Sequence, residues 1–533
     1  MHDCKAQFKQ SLDIIIVGAG IGGLATAYAL GRAGHRITVV ERSSAIAEVG
    51  AGIQAGPNLS RLLIRWGLGC KLEACSSRPA GITFLRYETG EQVGWTQWGE
   101  LMEEEYGAPY YHIHRADLLD MLYSLARRHI HTLHLSAKVT RVSVGCDSES
   151  AAVHLADGRV LSGDLVIGAD GLHSAVREFV LSAHTPNGHE VNPPIHTGYS
   201  AYRSVIPTRA IRALCDPALD ALLARREMVN WMGPEKHVIG YSIRGGKAYN
   251  LVCVREDRDS DHADNAPMAR RESYNAVGSV DEMRSDFAGW EPRCVPLETP
   301  DDHNVDDRLW APHRLQKLLK LVDETHILPL KYREPLDGCG WVHPSSRVVL
   351  LGDAAHPTLN PVCGQPSRAQ GAAMAVEDAA VLGVLLSPAH FRARGQNALA
   401  DALHGYQTLR YERTAATQRA SLANFNLFHL PDGPEQQARD ASMRLRNAPG
   451  CGKMNTNANA NMNIWADRQK SRVQFGYDAE EAAEVWALRR QGRGADGAGW
   501  DVGKAGCAPC IRVDSCWDRC GVEWGVYLAL ILL

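Results

Sequence analysis

The first pattern along the chain is an apolar run, a helical stretch and a second apolar run. Ile14 to Val17 carries no polar residue and has the length of a strand buried on both faces; it stops at Gly18. Apolar residues then recur at helical spacing from Ile21 to Arg32, and Ile37 to Val40 forms the next run. Residues 81–98 read as short strands, and Leu118 to Arg128 as a helix that Asp117 would cap. Lys138 to Val144, Ala151 to Leu155 and Val160-Leu161, with a turn at Asp157-Gly158, predict a β-meander that feeds another buried strand, Leu165 to Gly168. From 195 to 335 the period changes to two. Tyr199 to Ile206 and His237 to Ile243 alternate, which predicts a separate, largely antiparallel sheet, with a polar surface loop at 256–281. A last buried strand, Arg347 to Leu351, precedes a helix of small residues from Ala369 to Ala380, and helical patterning runs as far as Arg490.

Three of the buried strands end in turns that carry chemistry. The first turn is Gly18-x-Gly20-x-x-Gly23. Glycines at this spacing allow a tight turn, close approach of the backbone to a pyrophosphate and close packing of helix on strand. The phosphates would sit at the helix N-terminus, where N–H groups and the dipole favour an anion. Glu41 follows the second strand, placed to accept hydrogen bonds from ribose hydroxyls. The second turn, Ala169 to Arg177, contains Asp170-Gly171, and the third is Gly352-Asp353-Ala-Ala-His356-Pro357. Polar groups in such turns lie at the carboxyl edge of a parallel sheet, where open α/β sheets bind ligands. The glycine-rich stretch Glu48 to Asn58, with Gly52 in it, suits a loop lying against a flat ring. Arg115 stands just outside a helix start, within reach of a neighbouring ligand, and Gly371 belongs to a helix whose small residues allow close packing on a cofactor.

Composition narrows the class. At 533 residues the chain has room for two or three domains, and 45% hydrophobic with 22% charged residues is ordinary globular material. A net charge of -4 offers no basic field for nucleic acid. Residues 1–13 are polar and lack the apolar core of a signal peptide, so a cytoplasmic chain is expected. Cysteines stand singly up to Cys451, as reduced core thiols do. Cys507, Cys510, Cys516 and Cys520 have cluster spacing, but their loops are cramped for a zinc module, and no metal is expected. The apolar end, Val526 to Leu533, is far short of the ~20 residues of a membrane span.

Together, the three turns resemble those of the flavoprotein aromatic hydroxylases, the single-component FAD monooxygenases that include salicylate hydroxylase and fungal phenol hydroxylases. The similarity covers residues 10–480. With the patterning above, it implies an α/β fold. A Rossmann-like FAD-binding domain at 10–195, continued at 336–410, is interleaved with a largely antiparallel substrate-binding sheet at 196–335. A C-terminal helical region at 411–490 and an irregular tail at 491–533 follow.

By resemblance, Gly18, Gly20 and Gly23 cradle the FAD pyrophosphate, Glu41 takes the adenosine ribose and Arg115 approaches the FAD. Asp170-Gly171 matches the motif that serves both FAD and the pyridine nucleotide, Asp353 the acid on the ribityl chain, and Pro357 the residue beside the isoalloxazine. The family has no second dinucleotide domain for its reductant, and no second GxGxxG occurs here. NAD(P)H would reduce the flavin, and O2 would add to give a C4a-hydroperoxyflavin that hydroxylates a phenolic or aromatic acid or a polyketide-like phenol. A phenolate accepts oxygen far better than a phenol, and a free phenol titrates near 10, so a fixed cation with a hydroxyl partner would help. Arg203 and Tyr241 are the candidates, and the resemblance to fungal dearomatising phenol hydroxylases supports both positions. Two alternatives remain: a terpenoid epoxidase with an apolar substrate face, and a flavin-binding homologue disabled by an insertion. Asn360 to Arg368 is such an insertion relative to the family. Its prolines, Pro361 and Pro366, keep it from extending the next helix backwards, so it is expected to bulge outward. The sequence leaves the oligomer open, a homodimer included.

Overall fold

The computed structural model describes residues 11–490 apart from 48–49, 147–148, 185–191, 259–275, 292–312, 337–339, 359–369, 392–396 and 445–466. The expectations for the 360–368 insertion and for the cysteine-bearing tail from 491 lie outside the described residues.

The apolar runs become the middle of a parallel sheet. Asp13–Val17 pairs with Arg36–Val40 on one side and Leu165–Gly168 on the other; Val348–Leu350 and Ile130–His134 complete the five strands at the edges. The strands that precede the three turns are therefore neighbours, in the order Val348–Leu350, Leu165–Gly168, Asp13–Val17. Because they are parallel, their carboxyl ends finish on one edge, and segments about 335 residues apart in sequence meet there. The helices Ile21–Arg32, Arg115–Ala126 and Gln370–Leu385 pack together against this sheet. Small residues set the closeness of the first and third: a Cβ at Gly22 would come within 2.9 Å of Leu351 and 3.2 Å of the Ala375 Cβ. The meander Val139–Val144, Ala151–Leu155 and Val160–Gly163 forms its own three-stranded sheet.

The second large sheet has eight strands, ordered Ala276–Gly278, Thr325–Tyr332, Ile195–Pro207, Ala248–Glu256, Lys236–Ile243, Met228–Gly233, Gly81–Arg86, Gln92–Gln97. It is antiparallel except where Met228–Gly233 runs beside Gly81–Arg86. One face is covered by the helices Pro217–Ala224, Val280–Asp286 and Arg314–Lys320 over a core of Tyr202, Leu219, Trp231, Leu251 and Leu318. The other face turns toward the short pair Gly52–Ala55 and Tyr111–His114 and toward Phe425, Phe428 and Phe475.

Several expectations change. Gly81–Gln97, inside the 10–195 segment, belongs to the substrate sheet, because its hydrophobic face finds its partner strand at Met228–Gly233. Part of the glycine-rich stretch is a strand, Gly52–Ala55. The helix Ala398–Phe428 runs unbroken for 31 residues through the 410/411 boundary. Asp117 does not cap its helix: the helix starts at Arg115 after His114, and the Asp117 carboxylate instead holds the Arg244 guanidinium at 3.1 and 3.2 Å.

Candidate functional site

Gly18 turns the chain with φ +103, and its N–H donates to the Val40 carbonyl at 2.8 Å. A Cβ at Gly18 would strike the Ala169 carbonyl oxygen, and one at Gly23 would strike the carbonyl oxygen of Gly18, so the first and second turns interlock through bare backbone. Gly20 differs: a Cβ there would meet no atom of the described residues within 4 Å. The helix that begins at Ile21 has no side-chain cap and no acidic residue in its first turn. Among the described residues no side chain caps its leading N–H groups, whose positive dipole end fits a pyrophosphate. Glu41 stands beside this turn, accepting from the Ala19 N–H and the Ser43 N–H, each at 2.8 Å.

In the second turn, Asp170 accepts from the Ser174 hydroxyl and from the Val176 N–H; burial pushes its carboxyl up, opposed by the Ser174 hydrogen bond. Both its oxygens serve the start of the helix Ala175–Ser182. Buried Arg177 then reaches across to donate to the carbonyls of Ala354 and Ala355 at 2.7 and 2.9 Å, tying the second turn to the third. Asp353 is partly exposed on that third turn, and Pro357 is buried with its carbonyl accepting from Gln418 at 3.0 Å. Gly371 is buried one residue into the helix Gln370–Leu385, and Arg115 bonds its N–H to Ala51 at 2.9 Å beside the glycine-rich stretch.

Beneath the third turn lies a buried charge network that the sequence reading missed. Asp378 accepts from the Gly352 N–H at 3.0 Å, His356 Nε2 lies 2.6 Å from it, and Arg410 Nε lies 2.7 Å away. Burial alone would raise the Asp378 carboxyl, but His356 and Arg410 overcome it and hold it at about 2. Next to it, Glu377 pairs with Arg410 at 2.7 Å and with Arg413 at 2.9 Å, and accepts from Asn58 at 2.7 Å. Two adjacent acids inside a helix of small apolar residues were the available signal.

The substrate sheet brings Arg203 and Tyr241 onto one face. Arg203 pairs with Val252, and Val252 with Ile239; Tyr241 pairs with Asn250, and Asn250 with Val205. Paired residues share a face and so do residues two apart, which puts Arg203, Val205, Ile239 and Tyr241 together. Both candidates are buried, Arg203 at 6% exposure. The glycine-rich strand docks here: the Gly52 N–H donates to Asn250 Oδ1 at 2.7 Å, and a Cβ at Gly52 would fall 2.6 Å from the Tyr241 ring. The Gln54 amide N–H faces the Tyr241 hydroxyl, while Gln54 Oε1 accepts from Tyr110 at 2.7 Å, and the Tyr241 ring lies 4.4 Å from His112. Burial pushes the Tyr241 phenol up, against the Gln54 bond, so it remains a donor at neutral pH. The same face carries His237, whose Nδ1 lies 2.6 Å from His429 Nε2. Its alternation phase with Ile239 and Tyr241 was visible in the sequence; its partner was not. Among the described residues no His, Cys, Asp and Glu cluster could hold a metal ion, and no helix is long and apolar enough to cross a membrane.

Residues 11–191 match the FAD binding domain family. Over 437 residues the chain is 32% identical to the FAD-dependent monooxygenase OpS4 of Beauveria bassiana, covering 82% of this chain and 90% of that one. It is 32% identical over 440 residues to the 3-amino-4-hydroxybenzoate 2-monooxygenase of Streptomyces cremeus, covering 83% and 93%. It is 30% identical over 413 residues to the 6-hydroxynicotinate 3-monooxygenase of Bordetella bronchiseptica, covering 77% and 91%. Among solved structures, a salicylate hydroxylase substrate complex superposes with a TM-score of 0.64 at 24% identity, over 90% of this chain and 98% of that one, a likeness of fold. A sheet edge built for a dinucleotide, the matched FAD binding domain and relatives that span most of both chains lead to one conclusion: this chain belongs to the FAD-dependent aromatic monooxygenases.

Proposed function

We propose that the enzyme hydroxylates a phenolic substrate held between the FAD edge and the face that carries Arg203 and Tyr241. The observation that carries this reading is that shared face, which lies directly against the Gly52–Ala55 strand. The turns fit FAD: Gly20 leaves room where the pyrophosphate would approach, and we assign Gly18, Gly23, Glu41, Gly52, Arg115, Asp170, Asp353, Pro357 and Gly371 to the same cofactor. When bound, FAD supplies the transfer of two electrons from NAD(P)H and of one oxygen atom from O2, the other leaving as water.

The protein's part is to prepare the ring. The Arg203 cation stabilises the substrate as phenolate, and the Tyr241 hydroxyl donates to the same oxygen. Since burial places the Tyr241 phenol above the usual value near 10, a bound phenol loses its proton before Tyr241 does. Gln54, fixed by the Tyr110 hydroxyl at 2.7 Å, presents its amide N–H to the Tyr241 oxygen and leaves the Tyr241 proton for the substrate. A buried arginine on this face is costly in an apolar tunnel, which favours a phenol over a terpenoid. The names of the relatives, hydroxylases of an aminohydroxybenzoate and of a hydroxynicotinate, support a hydroxylated aromatic acid or related ring.

The test is a visible spectrum followed by coupling. The purified protein should be yellow, bleach with NAD(P)H and oxidise NAD(P)H faster with a suitable phenol. Arg203→Ala should keep the flavin and its reduction but yield at least tenfold less product per NAD(P)H consumed, the loss of one charge-assisted contact. Unchanged coupling and rate would refute the role of Arg203.

A further inference from the structure

We infer that Arg244 is a positioning residue for the hydroxylation: its guanidinium ties the strand that carries Tyr241 to the strand pair Gly52–Ala55 and Tyr111–His114, and so sets where Tyr241 stands relative to the cofactor. The inference rests on the hydroxylase reading above.

Arg244 opens the turn that joins the Lys236–Ile243 strand to the Ala248–Glu256 strand, just beyond Tyr241. The turn is left-handed at successive residues, with φ +53 at Arg244, +63 at Gly245 and +81 at Gly246. Glycine is the residue such a backbone favours; an arginine in the first place is strained, and a glycine there would make an easier turn. Backbone preference gives no reason for this side chain, but its contacts do. Nε and Nη2 donate to the two carboxylate oxygens of Asp117 at 3.2 and 3.1 Å, and Nη2 also lies 3.1 Å from His114 Nδ1. Since a guanidinium only donates, Nδ1 accepts and the His114 proton sits on Nε2.

Both partners belong to the other side of the joint. His114 ends the Tyr111–His114 strand, Asp117 lies in the first turn of the helix Arg115–Ala126, and the Arg115 N–H between them donates to the Ala51 carbonyl at 2.9 Å. The His114 ring also packs on the glycine-rich stretch, where a Cβ at Gly50 would strike it. Earlier in the same strand, His112 lies 4.4 Å from the Tyr241 ring and pairs with Gln54, whose amide faces the Tyr241 hydroxyl. From the same turn, the Gly246 N–H donates to Ser77 Oγ at 3.1 Å, and Ser77 exchanges backbone hydrogen bonds with His112. The sheet and the strand pair are thus pinned at the Tyr241 row, through Asn250 and Gly52, and again at the turn. One pin leaves a pivot; two fix an angle. The Arg244 side chain is 46% exposed, and exposed ion pairs add little to stability. Oxygen transfer is far more sensitive, because a misplacement of about 1 Å can remove most of a rate.

Arg244→Gly tests this, since glycine suits the turn and removes the grip. The flavin-free variant should unfold thermally no earlier than wild type, while amide exchange in Gly52–Ala55 and Tyr111–His114 speeds up roughly fivefold. Loaded with FAD, it should keep its full flavin content but give about three- to tenfold less product per NAD(P)H consumed, the balance appearing as hydrogen peroxide. Asp117→Ala breaks the same contact from the other side, and the double variant should lose no more than either single one. Unchanged exchange in Arg244→Gly overturns the assignment; so does faster exchange with unchanged coupling, and so do losses that add in the double variant. If no phenol speeds NAD(P)H oxidation by wild type, the hydroxylase reading fails, and the exchange data alone then decide the grip of Arg244, faster exchange sustaining it and unchanged exchange overturning it.

Discussion

Gly20 and Gly23 share a turn yet face different surroundings, and substitution separates their roles. Alanine at Gly20, where φ is -73 and none of the described residues lies within 4 Å of the added Cβ, should leave thermal unfolding of the flavin-free protein unchanged while the flavin absorbance of the purified protein falls. Alanine at Gly23 would overlap the Gly18 carbonyl oxygen and should cost about 1–3 kcal/mol of stability, read by urea unfolding, whether or not FAD is present. If Gly20→Ala keeps its full flavin, the pyrophosphate lies elsewhere. At Asp378 the expected loss is larger. Asp378→Asn leaves Arg410 and His356 buried beside a neutral amide, and the cost should be about 3–5 kcal/mol in the same measurement. The Asp378 carboxyl is held at about 2, below its usual value of 3.8, so its contribution is present above pH 3.8 and lost only as the pH falls toward 2.

At the scale of elements, three histidines set the acid limit. Burial lowers His112 and His237 to about 3 each, and burial together with His237 and Arg439 puts His429 well below the ordinary value. The unfolded chain takes up these protons near 6.5 while the folded chain does not, so stability falls as the pH drops below 6.5. At pH 5, His112 and His237 should each remove about 2 kcal/mol. His112→Phe, which keeps an aromatic ring between Tyr110 and Tyr241, should flatten the fall between pH 7 and pH 5 by about that amount in urea titrations. An unchanged slope would mean that His112 is already protonated in the fold.

The elements were legible where the signal is local. Runs such as Ile14 to Val17 and Leu165 to Gly168 need no partner to read as buried strands, and the turns after them carry their own chemistry. Arg203 and Tyr241 were legible as alternating positions, but only the pairing of both strands with Ala248–Glu256 puts them on one face. Partners distant in sequence left no such mark. Asp117 has the composition of a cap and is taken instead by Arg244, and Gly81–Arg86 pairs with a strand that begins more than 140 residues later. A period of two says which residues share a face; it does not say which strand lies alongside.

The whole molecule is laced rather than beaded. Removing residues after 195 would leave Gly81–Gln97 with an unpaired hydrophobic edge and the nucleotide sheet without Val348–Leu350. The 10–195 segment expressed alone should aggregate and carry no FAD, measured by the soluble fraction and its absorbance. A soluble yellow fragment would show that the edge strands are dispensable.

That lacing also sets the order of events during synthesis. The eight-stranded sheet waits for Thr325–Tyr332 and the parallel sheet for Val348–Leu350, so neither is complete until the ribosome has passed residue 350. Most multidomain chains let the N-terminal unit fold first; here the two units mature almost together and late. More than half the chain must then emerge with its strand edges unprotected.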